Sequence, residues 1–236
     1  MSLALIVLAA GQGTRMKSDL PKVLHEVGGA PLLYHAITAG RTLSPSRIVL
    51  VTGHGADAVE EAAQGFDERI EFVRQNNPRG TGHAVAQAAP VLADFDGDVV
   101  VLYGDTPFIS AQSLQHLTQA RQSYDIAVLG FEAADPGRYG RLVKSGDSLE
   151  KIVEYKDADA ATRAITLCNS GIMIAPSALL FRLIEKLQPD NAAGELYLTD
   201  IVELARSEDR SVTAVTCDEA ETIGVNSKAD LALAEA

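Results

Sequence analysis

Residues 3–10 read Leu3-Ala4-Leu5-Ile6-Val7-Leu8-Ala9-Ala10 with no polar break, and the run ends in Gly11-Gln12-Gly13. A strand with one wet face alternates polar and apolar residues. This one does not, so it points to a parallel sheet buried between layers of helix. The turn that follows lets backbone N–H groups approach a ligand closely, because glycine carries no side chain and accepts positive φ. Arg15 and Lys22 come next. Amides presented by such a turn, with two cations beside them, suit a phosphorylated nucleotide. Two familiar phosphate loops do not match. A dinucleotide fingerprint needs a third small residue where Met16 stands, and a P-loop needs Gly-Lys-Ser/Thr after four spacers.

Strand-like and helix-like segments alternate beyond this loop. Ile48–Thr52, Ile70–Arg74, Asp98–Tyr103 and Asp125–Phe131 read as strands. Ala56–Ala63, Thr81–Leu92 and Ala111–Arg121 read as helices. This alternation predicts an α/β, Rossmann-like fold, with a mostly parallel central sheet and helices on both faces. Ligand sites in such sheets lie beyond the carboxyl ends of the strands. Gly11–Arg15, Gln75–Thr81 and Gly104–Asp105 all fall there. The second half changes character. Gly140–Lys144, Leu149–Glu154 and Ile165–Ile174 read as strands, and Pro176–Leu187 and Leu196–Arg206 as helices. They predict a smaller mixed-sheet lobe. No repeat or low-complexity linker divides residues 1–236, so a single domain is expected.

Composition narrows the function classes. The formal net charge is −12 and aromatic residues make up 5% of the chain, with no tryptophan. A nucleic-acid binder needs a basic face and stacking platforms, so no nucleic-acid partner is expected. The apolar N-terminal run is too short for a membrane span and has no basic region before it, so neither a membrane anchor nor a signal peptide is expected. Cys168 and Cys217 are the only cysteines, and isolated cysteines without a signal peptide read as reduced thiols of a cytoplasmic protein.

The chemistry-bearing residues each have a plainer alternative. Asp105 closes an apolar strand through Tyr103 and Gly104. It can hold Mg²⁺, a hard cation that prefers oxygen ligands, or it can be a turn or helix-cap aspartate. Arg15 and Lys22 are phosphate ligands or solvated surface cations. Gln75 and Gly80-Thr81-Gly82-His83 offer groups to a base or ribose, or form an ordinary loop into a helix, with His83 the more structural of them. Glu154 and Asn169 are single polar residues at strand ends. None of the five histidines stands in a nucleophile–base pattern.

Together these segments resemble sugar-phosphate nucleotidylyltransferases. Leu8-Ala9-Ala10-Gly11-Gln12-Gly13-Thr14-Arg15-Met16 with Pro21-Lys22 is similar to their signature loop. Gln75 with Gly80-Thr81-Gly82-His83-Ala84, Tyr103-Gly104-Asp105, Tyr139-Gly140-Arg141, Ile152-Val153-Glu154, Lys156-Asp157-Ala158, Asn169-Ser170-Gly171-Ile172, Gly194-Glu195-Leu196-Tyr197-Leu198-Thr199-Asp200 and Gly224-Val225-Asn226 narrow the resemblance. It becomes the uridylyltransferase domain of bacterial N-acetylglucosamine-1-phosphate uridylyltransferases. That resemblance implies that UTP and N-acetylglucosamine 1-phosphate yield UDP-N-acetylglucosamine and pyrophosphate, with Mg²⁺. By position it implies that Leu8, Ala9, Ala10, Gly11, Gln75, Gly80 and Thr81 hold the uridine, and that Arg15 and Lys22 meet the phosphates. Asp105 and Asn226 would ligate Mg²⁺. Gly140, Glu154 and Asn169 would face the amino sugar, with Thr199 nearby and Tyr103 and Gly104 between the two halves.

Ser170 stands where the family often has Thr, Tyr155 where it often has His, and Gln12 where it often has Lys. The bacterial enzymes commonly carry a C-terminal left-handed β-helix that acetylates glucosamine 1-phosphate. No hexapeptide repeats occur in these residues, so that activity is not expected of them. Neighbouring readings are the same fold acting on another sugar or base, a molybdopterin-type nucleotidylyltransferase, and a regulatory module that binds nucleotide without turnover. The second should lack the Glu154 and Asn169 segments. The third should lack Lys22, Asp105 or Asn226.

Overall fold

The computed structural model describes residues 2–235. Its elements in chain order begin with β1 (Leu3–Ala9), a short hairpin of β2 (Glu26–Val27) and β3 (Ala30–Pro31), α1 (Leu32–Arg41), β4 (Arg47–Thr52) and α2 (Ala56–Phe66). Next are β5 (Ile70–Arg74), α3 (Thr81–Ala86), β6 (Asp98–Tyr103), α4 (Ala111–Arg121), β7 (Ile126–Glu132), β8 (Arg141–Ser145) and β9 (Ser148–Val153). The chain continues through α5 (Ala160–Arg163), β10 (Leu167–Pro176), α6 (Ser177–Ile184), α7 (Ile201–Ser207), β11 (Val212–Cys217) and α8 (Lys228–Ala234).

One sheet of nine strands organises the molecule, in the order β5-β4-β1-β6-β10-β7-β11-β9-β8. β5, β4, β1 and β6 pair in parallel, as do β7 and β11. β10 lies between β6 and β7 and is antiparallel to both. The mixed portion expected of the second half is therefore the far part of this same sheet, ending in the β8–β9 hairpin.

The unbroken apolar run of β1 is explained by burial on both faces. Ala4, Ile6 and Leu8 pack into one core with Val85, Leu180, Leu183 and Val202 from α3, α6 and α7. Leu5, Val7 and Ala9 pack into the other with Leu33, Ile37, Val59 and Leu114 from α1, α2 and α4. Successive side chains point to opposite faces, so both parities had to be apolar.

Boundaries shift where local chemistry dictates. The helix expected over Thr81–Leu92 ends at Ala86 and continues as turns. Pro90 lacks an N–H, and its ring disfavours helix in the turn before it. The helix expected over Leu196–Arg206 splits into a 3₁₀ turn at Leu198–Asp200 and α7. Cys168 and Cys217 both sit beside Phe131, on opposite sides of β7. Two strand spacings, roughly 10 Å, separate them, beyond disulfide reach. No helix among the described residues is long and apolar enough to cross a membrane.

Candidate active site

Three strands of the parallel half deliver their carboxyl ends to one cavity of about 430 Å³. β1 supplies Leu8 and Ala9 and leads into Ala10, Gly11 and Gln12. The loop after β5 supplies Gln75, Pro78, Gly80 and Thr81, and β6 leads through Tyr103 to Asp105. Lys22, Val23, Ala84 and Glu195 complete the wall. The Gly104 amide donates to the Leu8 carbonyl at 2.9 Å and locks two of these strand ends together.

Two glycines make the loops possible. Gly13 adopts φ +59, and a Cβ there would stand 2.6 Å from Lys22 Cβ. The first loop can thus lie directly against Lys22. Gly80 adopts φ +107, and a Cβ there would meet the Leu196 carbonyl oxygen at 2.5 Å. That close approach joins the two halves of the chain. Leu196 donates to the Arg79 carbonyl at 2.7 Å, Gly82 to the Leu196 carbonyl at 2.8 Å, and Leu198 to the Thr81 hydroxyl at 3.0 Å. Gly11 is not left-handed, and the space beside its Cα is open.

Lys22 is the cation the first loop brings to the wall. Its ammonium donates to the Asp105 carboxylate and, at 3.0 Å, to Asn226 Oδ1. Asp105 is held by its own carbonyl, which accepts from Val225 N at 3.0 Å, one residue before Asn226. Arg15 lies elsewhere: it is exposed on a 3₁₀ turn over Thr14–Met16 and does not line the cavity. Among the described residues no three His, Cys, Asp or Glu side chains gather as a metal cluster.

The remaining expected residues meet around Glu154. Gly140 accepts from Asn169 N at 2.8 Å, and a Cβ on Gly140 would stand 3.4 Å from both Glu154 carboxylate oxygens. The Thr199 hydroxyl donates to Glu154 Oε1 at 3.1 Å. Asn169 Oδ1 accepts from Gly171 N at 3.0 Å, across a register shift in β10 that begins at Asn169. A bulge of this kind re-aims a side chain at a strand end. Burial holds the Glu154 carboxyl above its ordinary pKa, against the Thr199 hydrogen bond that favours the charged form. Glu154 lines a second cavity of about 440 Å³ with Arg138, Tyr155, Lys156, Ala193, Glu195 and Tyr197. Tyr103 lines the first cavity, and its ring lies against Gly171. Burial is the main cause of the upward shift of its phenol, helped by the charges of Glu154 and Asp105.

Every expected residue except Arg15 therefore falls in one of two adjoining groups at the carboxyl face of the sheet. Glu195 lines both cavities. It lies in the Gly194–Asp200 segment named above but was given no role of its own, and it reaches the site because Leu196 beside it is bonded to Arg79 and Gly82, more than a hundred residues earlier.

Solved structures share this architecture. A UDP-glucose pyrophosphorylase complexed with UDP-glucose superposes with TM-score 0.81 at 20% identity, covering 100% of this chain and 97% of that one. A putative glucose-1-phosphate thymidylyltransferase from Bacillus anthracis gives 0.78 at 23% identity, covering 99% and 94%. At these identities the likeness establishes the fold. Among sequence relatives, the Bifunctional protein GlmU of Cereibacter sphaeroides (strain ATCC 17025 / ATH 2.4.3) is 60% identical over 235 residues, and that of Ruegeria sp. (strain TM1040) is 58% identical over 236. The matches cover 100% of this chain and 52% and 53% of those proteins, so the chain spans about half their length. The model of the MobA-like NTP transferase domain matches residues 5–197, and the chain belongs to that family.

Proposed function

We propose that the protein is a uridylyltransferase that joins UTP to N-acetylglucosamine 1-phosphate, forming UDP-N-acetylglucosamine and pyrophosphate. One observation carries the reading. A nucleotide-sized cavity and a Glu154-lined cavity share Glu195 in their walls, with the Lys22–Asp105–Asn226 cluster at the wall of the first. The identity of about 60% to proteins named GlmU supports it. The single nine-stranded sheet supports reading residues 1–236 as one nucleotidylyltransferase domain.

In this reading Leu8, Ala9, Ala10, Gly11, Gln75, Gly80 and Thr81 seat the uridine. Gly140, Glu154, Asn169 and Thr199 seat the amino sugar, with Tyr103 and Gly104 between them. A sugar 1-phosphate is already anionic, so its oxygen attacks the α-phosphorus without a general base. The protein must align the reactants and neutralise charge. Lys22 stabilises the departing pyrophosphate, and Arg15, on the same loop, is the second cation this reading assigns to it.

The donor set fits Mg²⁺. Asp105 and Asn226 aim two hard oxygens at one position that a cation, the Lys22 ammonium, already fills. Mg²⁺ keeps several waters and needs few protein ligands. Bound there, it would supply Lewis-acid neutralisation of phosphate charge. Lys22 would then be released toward the phosphates.

Pyrophosphate release, measured over a panel of nucleoside triphosphates and sugar 1-phosphates, tests the proposal. UTP with N-acetylglucosamine 1-phosphate should be the preferred pair. Equal turnover with ATP or GTP, or with glucose 1-phosphate, would overturn it.

A further inference from the structure

Gln75 is buried and lines the first cavity. Its Nε2 stands 3.1 Å from the Gly80 carbonyl oxygen and 3.0 Å from Nδ1 of His83. A carbonyl can only accept, so the atom facing Gly80 must be the amide nitrogen. Both amide protons are thereby spent, one on Gly80 and one on His83. The polar atom left for the cavity is Oε1, an acceptor.

His83 does not line the cavity but stands behind Gln75 in the first turn of α3. For Nδ1 to accept, the ring must be neutral with its proton on Nε2. Burial, and the positive charge of Arg79, push the imidazole pKa below its ordinary value and favour that form. On the far side, Gln87 Nε2 donates to the His83 carbonyl at 2.9 Å and approaches ring Nε2 at 3.3 Å. A protonated Nε2 cannot accept there, so the bond to the carbonyl is the one that holds Gln87.

We propose that His83 is a positioning residue that, together with the Gly80 carbonyl, holds the Gln75 amide with its oxygen toward the base, and so strengthens the choice of uracil over cytosine. The inference rests on the uridylyltransferase reading and adds the residue that enforces its base choice. Uracil presents an N3–H donor, which pairs with Oε1. Cytosine presents a bare N3 acceptor, which Oε1 repels. With no acceptor at position 83, the Gly80 bond alone holds the amide in this orientation, and turning its NH₂ to the cavity, an arrangement that suits cytosine, costs one hydrogen bond where it otherwise costs two.

The test compares UTP with CTP in wild type, His83→Leu and His83→Asn, by pyrophosphate release and by calorimetric binding of each nucleotide. His83→Leu should lower the UTP:CTP ratio of kcat/KM roughly 5- to 10-fold, the value of one neutral hydrogen bond. The KM for UTP should rise while that for the sugar phosphate holds. Asparagine places Oδ1 where Nδ1 was, so His83→Asn should restore most of the ratio. An equal loss with both nucleotides, or an unchanged ratio, would overturn the role of His83. Should the leucine variant not fold, His83→Ala carries the same expectation. Wild type that binds both nucleotides without turnover would sink the uridylyl-transfer reading alone, because the binding ratios still decide whether His83 sets base choice.

Discussion

Lys22 shows how much one side chain can organise. Its ammonium spans Asp105 and Asn226, which lie 83 and 204 residues away in sequence. The residue types were legible from the chain, because a cation after a glycine turn and a carboxylate after a buried strand each suit phosphate chemistry. Their contact was not, because no local rule links positions so far apart. Asp105→Ala removes the one carboxylate of the cluster, and kcat should fall on the order of 10²-fold, as for loss of a transition-state electrostatic group. Pyrophosphate release checks this, and full activity of the variant would refute the assignment. On the sugar side, Glu154→Ala deletes a charged acceptor held by Thr199. Such a hydrogen bond contributes roughly 1.5–3 kcal/mol, so kcat/KM for the sugar phosphate should fall about 10- to 100-fold, with the KM for UTP unchanged. A rise in the UTP KM instead would move Glu154 to the nucleotide side.

Among the elements, the β8–β9 hairpin is flanked by two of the sugar-side residues, Gly140 before β8 and Glu154 after β9, and a buried arginine ties it down. Arg141 is 2% exposed, yet its guanidinium meets no carboxylate among the described residues. It donates to the carbonyls of Tyr139, of Gly137 at 3.1 Å and of Arg163 at 3.3 Å, and sits 5.8 Å from the Tyr155 ring. Five fixed donors let one side chain gather three separate backbone carbonyls. Arg141→Met should leave those carbonyls without partners and lower unfolding stability by about 1–3 kcal/mol. The KM for the sugar phosphate should rise with it, since Gly140 is the adjoining residue. Urea unfolding with kinetics checks both. Unchanged stability would mean that water replaces the guanidinium. The sequence marked this hairpin as two strands but gave no sign that Arg141 points inward, because arginine is ordinarily a surface residue. Helix α1 escaped sequence reading for a different reason. Tyr34, Ile37, Thr38 and Gly40 all weaken helix propensity, and its helicity comes from packing Leu33 and Ile37 on the sheet.

For the whole molecule, the distribution of charge matters as much as the sheet. The net charge of −12 is partly concentrated near the sugar side, where the carboxylates of Glu154, Asp157 and Glu203 act on Asp200. Burial first, and then those charges, push the Asp200 pKa up to about 6. An acid whose folded pKa exceeds its unfolded value costs stability when ionised, here at all pH above about 6. The cost fades as pH falls toward the ordinary aspartate value near 4 and is gone below it. Asp200→Asn should therefore stabilise the protein at pH 7–8 by roughly 1–2 kcal/mol after allowance for solvent screening. The gain should vanish near pH 4. Urea midpoints across that range test it, and a gain independent of pH would point to packing instead of charge. Fold class was legible at this scale because β–α alternation is a local signal repeated along the chain. The insertion of β10 between β6 and β7 was not, since strand order depends on pairings that sequence periodicity does not encode.

That insertion bears on how the chain emerges from a ribosome. β6 ends at residue 103, and the strand that covers its open side, β10, begins only at residue 167. At roughly 5–20 residues per second the edge waits several seconds for its partner. Val99, Val100, Val101 and Leu102 offer a bare apolar ladder throughout that interval, the kind of edge that recruits other chains. Newly made molecules of this protein would thus depend on chaperones most acutely between the synthesis of β6 and that of β10.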